Sequence, residues 1–282
     1  MSDIRDSITD ELLASATLNR TPARSDLDVP LLTVGGLPIA VIDRPGSAHL
    51  MVHAALARRG SGLRPLLVTS ANGQVLSMCA RDAEPRALFL AADLIHADGM
   101  PLVFASRRRC RAPLPERIAT TDLFHDVAKV AETTGATFYL LGATQETIET
   151  ARARIQSIYP GLVIAGFRNG YFAPEEEAQV IADINAARPD ILWVGMGVPW
   201  EQAFCVRNRA RLTNVGLMKT SGGLFDFVSG RKSRAPLLLQ SVGLEWLYRL
   251  ALEPCRLLLR YLTTNPHALY LLLTSTPGGV DR

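Results

Sequence analysis

From Leu31 to Lys219 short apolar runs alternate with segments of helical period, and this alternation constrains the fold more than any other property of the chain. Leu31 to Ile42, Leu66 to Thr69, Leu94 to Ala97, Thr137 to Leu141, Leu162 to Gly166, Ile191 to Val194 and Val215 to Lys219 read as strands. Between them, Gln74 to Cys79, Pro85 to Ala92, Pro101 to Arg107, Asp122 to Thr133, Gln145 to Ile158, Glu175 to Ala187 and Trp200 to Arg211 read as helices. Apolar strands spaced by helices predict an α/β, Rossmann-like parallel sheet with helices on both faces. Sheets of this kind bind ligands outside the carboxyl ends of their strands, so the loops after the strands are where function is sought.

The pattern divides the chain into three parts. Residues 1–28 are polar and of mixed charge, a flexible leader without the basic start and apolar stretch of a signal peptide. Residues 29–233 carry the alternation. After Ser233 the pattern becomes helix only, with Leu237, Leu238, Val242, Leu244, Trp246, Leu247 and Leu250 set among basic residues, and 234–282 is expected to form a separate helical appendage. Its most apolar stretch, Tyr261 to Val280, is broken at Asn265-Pro266-His267 and Pro277-Gly278-Gly279, so it is expected to lie on a bilayer and not to cross it.

With 48% hydrophobic residues in 282, the chain can bury one full core. A net charge of +3 is too small to signal a nucleic-acid partner. Cys79, Cys110, Cys205 and Cys255 form no C-x-x-C pair, which gives no zinc ribbon or disulfide framework and leaves reduced thiols as the default. Asp26-Leu27-Asp28 has the form of a metal-nucleotide clamp, but it ends a polar tail instead of following a buried strand.

Glycine and small polar residues recur at the strand ends: Thr69-Ser70-Ala71-Asn72, His96-Ala97-Asp98-Gly99, Gly142-Ala143-Thr144, Gly170-Tyr171, Gly195-Met196-Gly197 and Ser221-Gly222-Gly223. Tight turns explain any one of these; together they describe a site of phosphate-and-sugar size. Gly195-x-Gly197 lacks the third glycine of a dinucleotide fingerprint because Trp200 stands there. Asp98, at the end of an apolar strand, has two readings on spacing alone: a base for a substrate hydroxyl, or a cap for the helix at Pro101.

These motifs, with Lys219-Thr220-Ser221-Gly222-Gly223-Leu224-Phe225-Asp226, Arg234-Ala235-Pro236 and Glu245-Trp246-Leu247-Tyr248-Arg249, resemble the WecG/TagA/CpsF glycosyltransferases, glycosyltransferase family 26, over about residues 31 to 270. The resemblance implies inverting transfer of a sugar from a UDP-sugar to a polyprenyl-diphosphate-linked sugar, on the inner face of the plasma membrane, without a metal or other cofactor. It implies that Asp98 is the base. It implies substrate contacts from Thr69 or Ser70, Asn72, Arg117, Asp122, Gly142, Gly195, Gly197, Glu201 or Gln202, Gly222, Gly223, Asp226, Arg234, Arg249 and Arg256. The family's T-x-N has become Thr69-Ser70-Ala71-Asn72, and its P-x-Q-E has become Pro199-Trp200-Glu201-Gln202 with the last two exchanged. These departures point away from N-acetylmannosamine as donor, with glucose for an exopolysaccharide as the candidate. Partners are then the sugar nucleotide, the lipid-linked acceptor and the membrane surface; whether the chain forms a homo-oligomer is left open. The competing readings are a nucleotide-dependent oxidoreductase, which lacks its glycine fingerprint here, and a non-catalytic sugar-nucleotide-binding subunit, which needs no base.

Overall fold

The computed structural model describes residues 27–276. The elements run β1 (Leu31–Val34), β2 (Leu37–Ala40), α1 (Arg44–Arg58), β3 (Leu66–Ala71), α2 (Gly73–Arg81), α3 (Ala83–Leu90), β4 (Leu94–Ala97), α4 (Met100–Arg109), α5 (Thr120–Thr134), β5 (Thr137–Gly142) and α6 (Gln145–Ile158). They continue with β6 (Val163–Arg168), a 3-10 turn and α7 (Glu177–Ala187), β7 (Ile191–Gly195), α8 (Trp200–Asn208), β8 (Leu217–Thr220) and α9 (Leu224–Val228). Three helices close the described chain: α10 (Leu237–Ser241), α11 (Glu245–Leu252) and α12 (Pro254–Thr274).

Six strands form one parallel sheet in the order β4-β3-β8-β7-β5-β6, with helices around it, so the α/β Rossmann-like expectation holds. The reason is visible in β4 and β7, whose every residue is buried: a strand with no solvated face needs cover on both. Trp193 on β7 is fully buried, in edge-on contact with Phe124 of α5 at 4.9 Å between ring centres. Edge strand β6 has no fully buried residue.

The stretch from Leu31 to Ile42 departs from the expectation. It is not a strand of the large sheet but an antiparallel hairpin, β1 with β2, turning at Gly35 and Gly36, whose φ angles are +57° and +83°. Left-handed backbone at two successive residues is what a tight hairpin turn demands and what only glycine adopts without strain. A helix not expected from the sequence, α1, follows, although Ala48, Met51, Val52 and Ala55 mark its buried face at helical spacing. Pro266 does not interrupt the helix, since Tyr261 to Thr274 lies within the single helix α12; the other expected break, Pro277-Gly278-Gly279, lies outside the described residues. The turn that the proline perturbs is held from α2: Arg81 Nη2 donates to the Thr263 carbonyl at 3.0 Å, and Ser77 Oγ lies 2.9 Å from His267 Nδ1. Among the described residues no helix is long and apolar enough to cross a membrane.

The chain forms two compact units. The first takes Met1–Asp43, Ser70–Ala119 and Arg234–Arg282; the second takes Arg44–Thr69 and Thr120–Ser233. In the first, α12 packs along α2. The hairpin turn is bonded to the end of the described chain, with Gly36 N–H donating to Ser275 O at 2.9 Å and Gly35 N–H to Thr276 Oγ1 at 3.1 Å. In the second, α1 packs on α5, and Asp190 pins the start of β7 to β5 and to α1. Its carboxylate, 2% exposed, accepts from Arg59 Nε at 2.7 Å, Thr137 N at 2.7 Å and Thr137 Oγ1 at 2.9 Å.

Candidate active site

In the first unit the chemistry gathers around the end of β4. Asp98 follows Ala97 directly, and its own N–H is bonded to Ala71 O at 2.8 Å, which ties the end of β4 to the end of β3. The position that caps α4 is taken by Gly99, and no side chain caps that helix. Asp98, one residue before that position, is half-buried. Asn72 stands beside this turn: a methyl group built on Gly99 would lie 3.8 Å from Asn72 Cβ. Asn72 caps α2, its Oδ1 accepting from Val75 N–H at 3.2 Å.

Arg117 is drawn to the same place because Ile118 N–H donates to Ala97 O at 2.8 Å. Its guanidinium, 12% exposed, meets Glu245 Oε2 at 2.7 Å and Gln240 Oε1 at 2.9 Å. Arg234 Nη2 donates to that same Gln240 oxygen at 2.6 Å, and Gln240 Nε2 donates to Ala235 O at 2.6 Å. One buried amide thus brings two guanidinium groups together, with Glu245 paired to one of them. That is an arrangement suited to an anion. Gln240 carried no signal in the sequence; only the fold shows that its oxygen is shared. The link between α10 and α11 lies against the start of α4, with Met100 Cβ 3.3 Å from where a methyl group on Gly243 would stand.

In the second unit the loops after β5, β6, β7 and β8 are tied to one another and to the end of β7. Ala143 N–H donates to Gly195 O at 3.1 Å, Gly170 N–H to Ala143 O at 2.9 Å, and Ser221 N–H to Val194 O at 2.7 Å. Close packing explains two of the glycines, since a methyl group at Gly142 would lie 2.2 Å from Gly195 O and one at Gly195 would lie 2.8 Å from the Phe225 ring. Gly197 and Gly222 are different. Both have left-handed backbone, at φ +83° and +54°, and a methyl group on either would meet nothing within 4 Å. Open space at a strand-end glycine leaves room for a ligand to approach the backbone.

Glu201 and Gln202 lie beneath these loops and are both buried. Glu201 Oε2 accepts from three backbone amides, Gly222 at 2.9 Å, Gly197 at 3.1 Å and Met196 at 3.2 Å. Burial pushes the Glu201 carboxyl above its ordinary value, a shift that the Gly222 amide, Lys219 and the other two amides oppose without cancelling. Lys219, fully buried on β8, donates from Nζ to Thr220 O at 2.8 Å. Gln202 Nε2 donates to Thr69 Oγ1 at 3.1 Å, and Thr69 Oγ1 lies 2.8 Å from Thr220 Oγ1. The Thr69 hydroxyl is thus enclosed in this network, whereas Ser70 is half-buried.

The structure places the remaining expected residues as follows. Asp122, in the first turn of α5, is 3.7 Å from Arg44 of α1. Asp226, in the first turn of α9, pairs with Lys232 at 3.1 Å. Gly223 precedes α9 as its cap residue. Arg249 is half-buried on α11. Arg256 falls on α12, but its side chain lies outside the described residues, as does Asp26 of the D-x-D triplet. Among the described residues no three His, Cys, Asp or Glu side chains gather into a metal-ligand cluster.

This geometry is a base candidate with an arginine fork in one unit and, in the other, glycine loops at strand ends over a buried carboxylate. Residues 32–279 match the model of the Glycosyl transferase WecG/TagA/CpsF family. The chain belongs to that family. Membership makes it a glycosyltransferase of cell-surface polysaccharide synthesis, with a sugar donor and an acceptor as its substrates. It also sets the oxidoreductase reading aside, in agreement with the incomplete glycine fingerprint at Gly195.

Proposed function

We propose that the protein is an inverting glycosyltransferase that moves a sugar from a UDP-sugar to a hydroxyl of a polyprenyl-diphosphate-linked sugar, in exopolysaccharide or other cell-surface polysaccharide synthesis. The position of Asp98 carries this reading: it is a carboxylate that directly follows a buried strand, in a turn beside Asn72. In the proposed reaction Asp98 takes the proton of the acceptor hydroxyl as that oxygen attacks the anomeric carbon. The bond from that carbon to the diphosphate oxygen breaks, inverting the centre, and UDP leaves with the electron pair. The departing diphosphate needs positive charge, which Arg117 and Arg234 on Gln240 supply, with Arg249 contributing from α11. No metal is required for that role. Gly142, Gly195, Gly197, Gly222 and Gly223, with Ser70 and Asn72, are assigned to the donor and acceptor sugars. The departure at Thr69 to Asn72 supports a donor sugar other than N-acetylmannosamine, with glucose as the candidate.

The C-terminal helices support a membrane-facing role for residues 234–282. Leu237, Leu238 and Leu259 are 82%, 74% and 73% exposed, far more than a lone surface leucine requires to be. Arg260 lies over the Tyr261 ring at 5.1 Å, and Tyr261 meets Trp246 edge-on at 5.9 Å. Apolar side chains with aromatic and basic neighbours suit the interface of an anionic bilayer, where the lipid tail of the acceptor would lie. The protein would then act as a peripheral protein of the inner face.

Substitution of the base tests the reaction. Asp98→Asn should lower turnover by roughly a hundred- to ten-thousandfold with donor affinity little changed. The assay is transfer from a panel of UDP-sugars to a lipid-diphosphate-sugar acceptor. Near-normal turnover of that variant would remove Asp98 from the mechanism, and a wild-type protein that binds a UDP-sugar yet transfers nothing would favour the binding-subunit reading.

A further inference from the structure

We infer that Glu201 is a positioning residue, one that locks the loops after β7 and β8 to each other and does not itself touch sugar or nucleotide. The two oxygens of its carboxylate are both engaged. Oε2 carries the amides of Met196, Gly197 and Gly222, and Oε1 lies 3.3 Å from Gln202 Nε2. With 2% of its surface exposed, the side chain has no face left for a ligand.

What it does hold is specific. Met196 and Gly197 belong to the loop that leaves β7, Gly222 to the loop that leaves β8, and the two strands are direct neighbours paired from Ile191 with Leu217 to Val194 with Thr220. Strand pairing ends there, so beyond Thr220 the spacing of the loops must be set by something else. Ser221 continues the tie by one residue, its N–H and hydroxyl both donating to Val194 O. Glu201 supplies the next one, from the first turn of the helix that the β7 loop leads into. Gly197 and Gly222 are the glycines with open space above them, and both give their N–H to this one oxygen. The backbone that a donor would approach is thus oriented from beneath by a side chain the donor never meets. A carboxylate suits the position better than an amide for two reasons. Charge strengthens each of the three N–H bonds, and the buried Lys219 ammonium has Glu201 as an electrostatic partner. This also accounts for the order Glu201-Gln202, since the carboxylate lies under the amides while the amide of Gln202 bridges to Thr69.

The consequence for the reaction rests on the function proposed above; the lock itself does not. Two variants separate geometry from charge: Glu201→Gln keeps the length and removes the charge, and Glu201→Asp keeps the charge and withdraws the oxygens from the amides. Amide hydrogen exchange of the unliganded protein, resolved by residue, is the direct measurement. Exchange at Met196, Gly197 and Gly222 should quicken by about tenfold in either variant, the effect of weakening a charge-assisted hydrogen bond, while the amides of β5 and β7 keep their wild-type protection. In the transfer assay KM for the UDP-sugar should rise by a similar factor, with kcat within about threefold of wild type. Unchanged exchange at the three amides would refute the lock, whatever the donor proves to be. A kcat loss of several hundredfold at unchanged KM would make Glu201 a catalytic group and overturn the assignment. Loss of protection across β5 and β7 in both variants would make it a support of the whole fold and overturn it equally. If the wild-type protein used no UDP-sugar, the functional reading would fall and the exchange result would still decide the role of Glu201.

Discussion

Replacing Gln240 separates stability from function, because its single side-chain oxygen holds two arginines. Gln240→Ala removes three hydrogen bonds: from Arg117 at 2.9 Å, from Arg234 at 2.6 Å, and to Ala235 O at 2.6 Å. The two charge-assisted bonds are worth about 1.5–3 kcal/mol each and the neutral one about 1 kcal/mol, but half-buried Arg234 regains water, so the net loss is about 2–5 kcal/mol. At roughly 2–4 °C per kcal/mol for a chain of this size, Tm should fall by roughly 4–20 °C. Activity should fall with it, because Arg117 and Arg234 then lose the oxygen they share. Gln240→Glu acts in the opposite sense on the two properties. Both arginines gain a carboxylate, which strengthens their bonds, and the loss of the donor to Ala235 O offsets this, so stability should stay within about 2 kcal/mol of wild type. With Glu245 already present at 2.7 Å from Arg117, the new carboxylate would add a further negative charge beside the two guanidinium groups. UDP affinity and turnover should each then drop at least about tenfold. Thermal unfolding, calorimetric titration with UDP and transfer rate, measured in one buffer, decide the matter. A Gln240→Glu protein as active as wild type would show that the paired arginines do not receive the diphosphate.

Three further outcomes are expected. Activity should survive excess EDTA while Arg117→Ala loses most of it, measured by transfer with and without chelator; activity abolished by EDTA and restored by magnesium or manganese would refute the arginine assignment. Changing Leu237, Leu238 and Leu259 together to serine should cost little stability, because all three are already exposed, yet abolish sedimentation with anionic liposomes at low salt; unchanged sedimentation would refute the membrane role of these helices. For acid stability, burial raises the Asp190 carboxyl, but its bonds with Arg59 and Thr137 outweigh this and leave it below the ordinary value of 3.8. The stability it contributes is present above that value and is lost as pH falls through the folded-state value, so urea midpoints of wild type should fall more steeply below about pH 4 than those of Asp190→Asn.

What the sequence disclosed and what it hid follow from the range of the interactions concerned. The strands β4, β5 and β7 were legible within a residue or so because near-complete burial makes each a mostly apolar run, a signal carried by the strand itself. The helix α6 was legible to the residue for a similarly local cause: Thr144 caps it, with Oγ1 accepting from Thr147 N–H at 3.3 Å. The hairpin at Leu31 to Ile42 was misread as one strand because its apolar pattern hardly changes across the turn, while the two glycines that reverse the chain lie inside it. The helix α1 carried its periodicity openly, yet Arg44-Pro45-Gly46 at its start reads as a turn.

The site shows the same division more sharply. Asp98 could be singled out from its place after an apolar run, but whether it capped α4 could be answered only by the backbone, which puts Gly99 at the cap. Glu201 was visible as a carboxylate near Gly195 and Gly197, but a sequence cannot show that one of its three amide partners lies 21 residues further on, after another strand. Gln240 was invisible, since its role exists only when Arg117, 123 residues away, is brought to it. Local patterns thus name the groups able to react, whereas the groups that hold them are defined by distant pairings. If that division is right, mutations at Glu201 should move KM and exchange, mutations at Gln240 should move UDP affinity together with turnover, and mutations at Asp98 should move turnover alone. Variants of Glu201 and Asp98 that instead lowered kcat in parallel would mean that positioning and chemistry are not separable here.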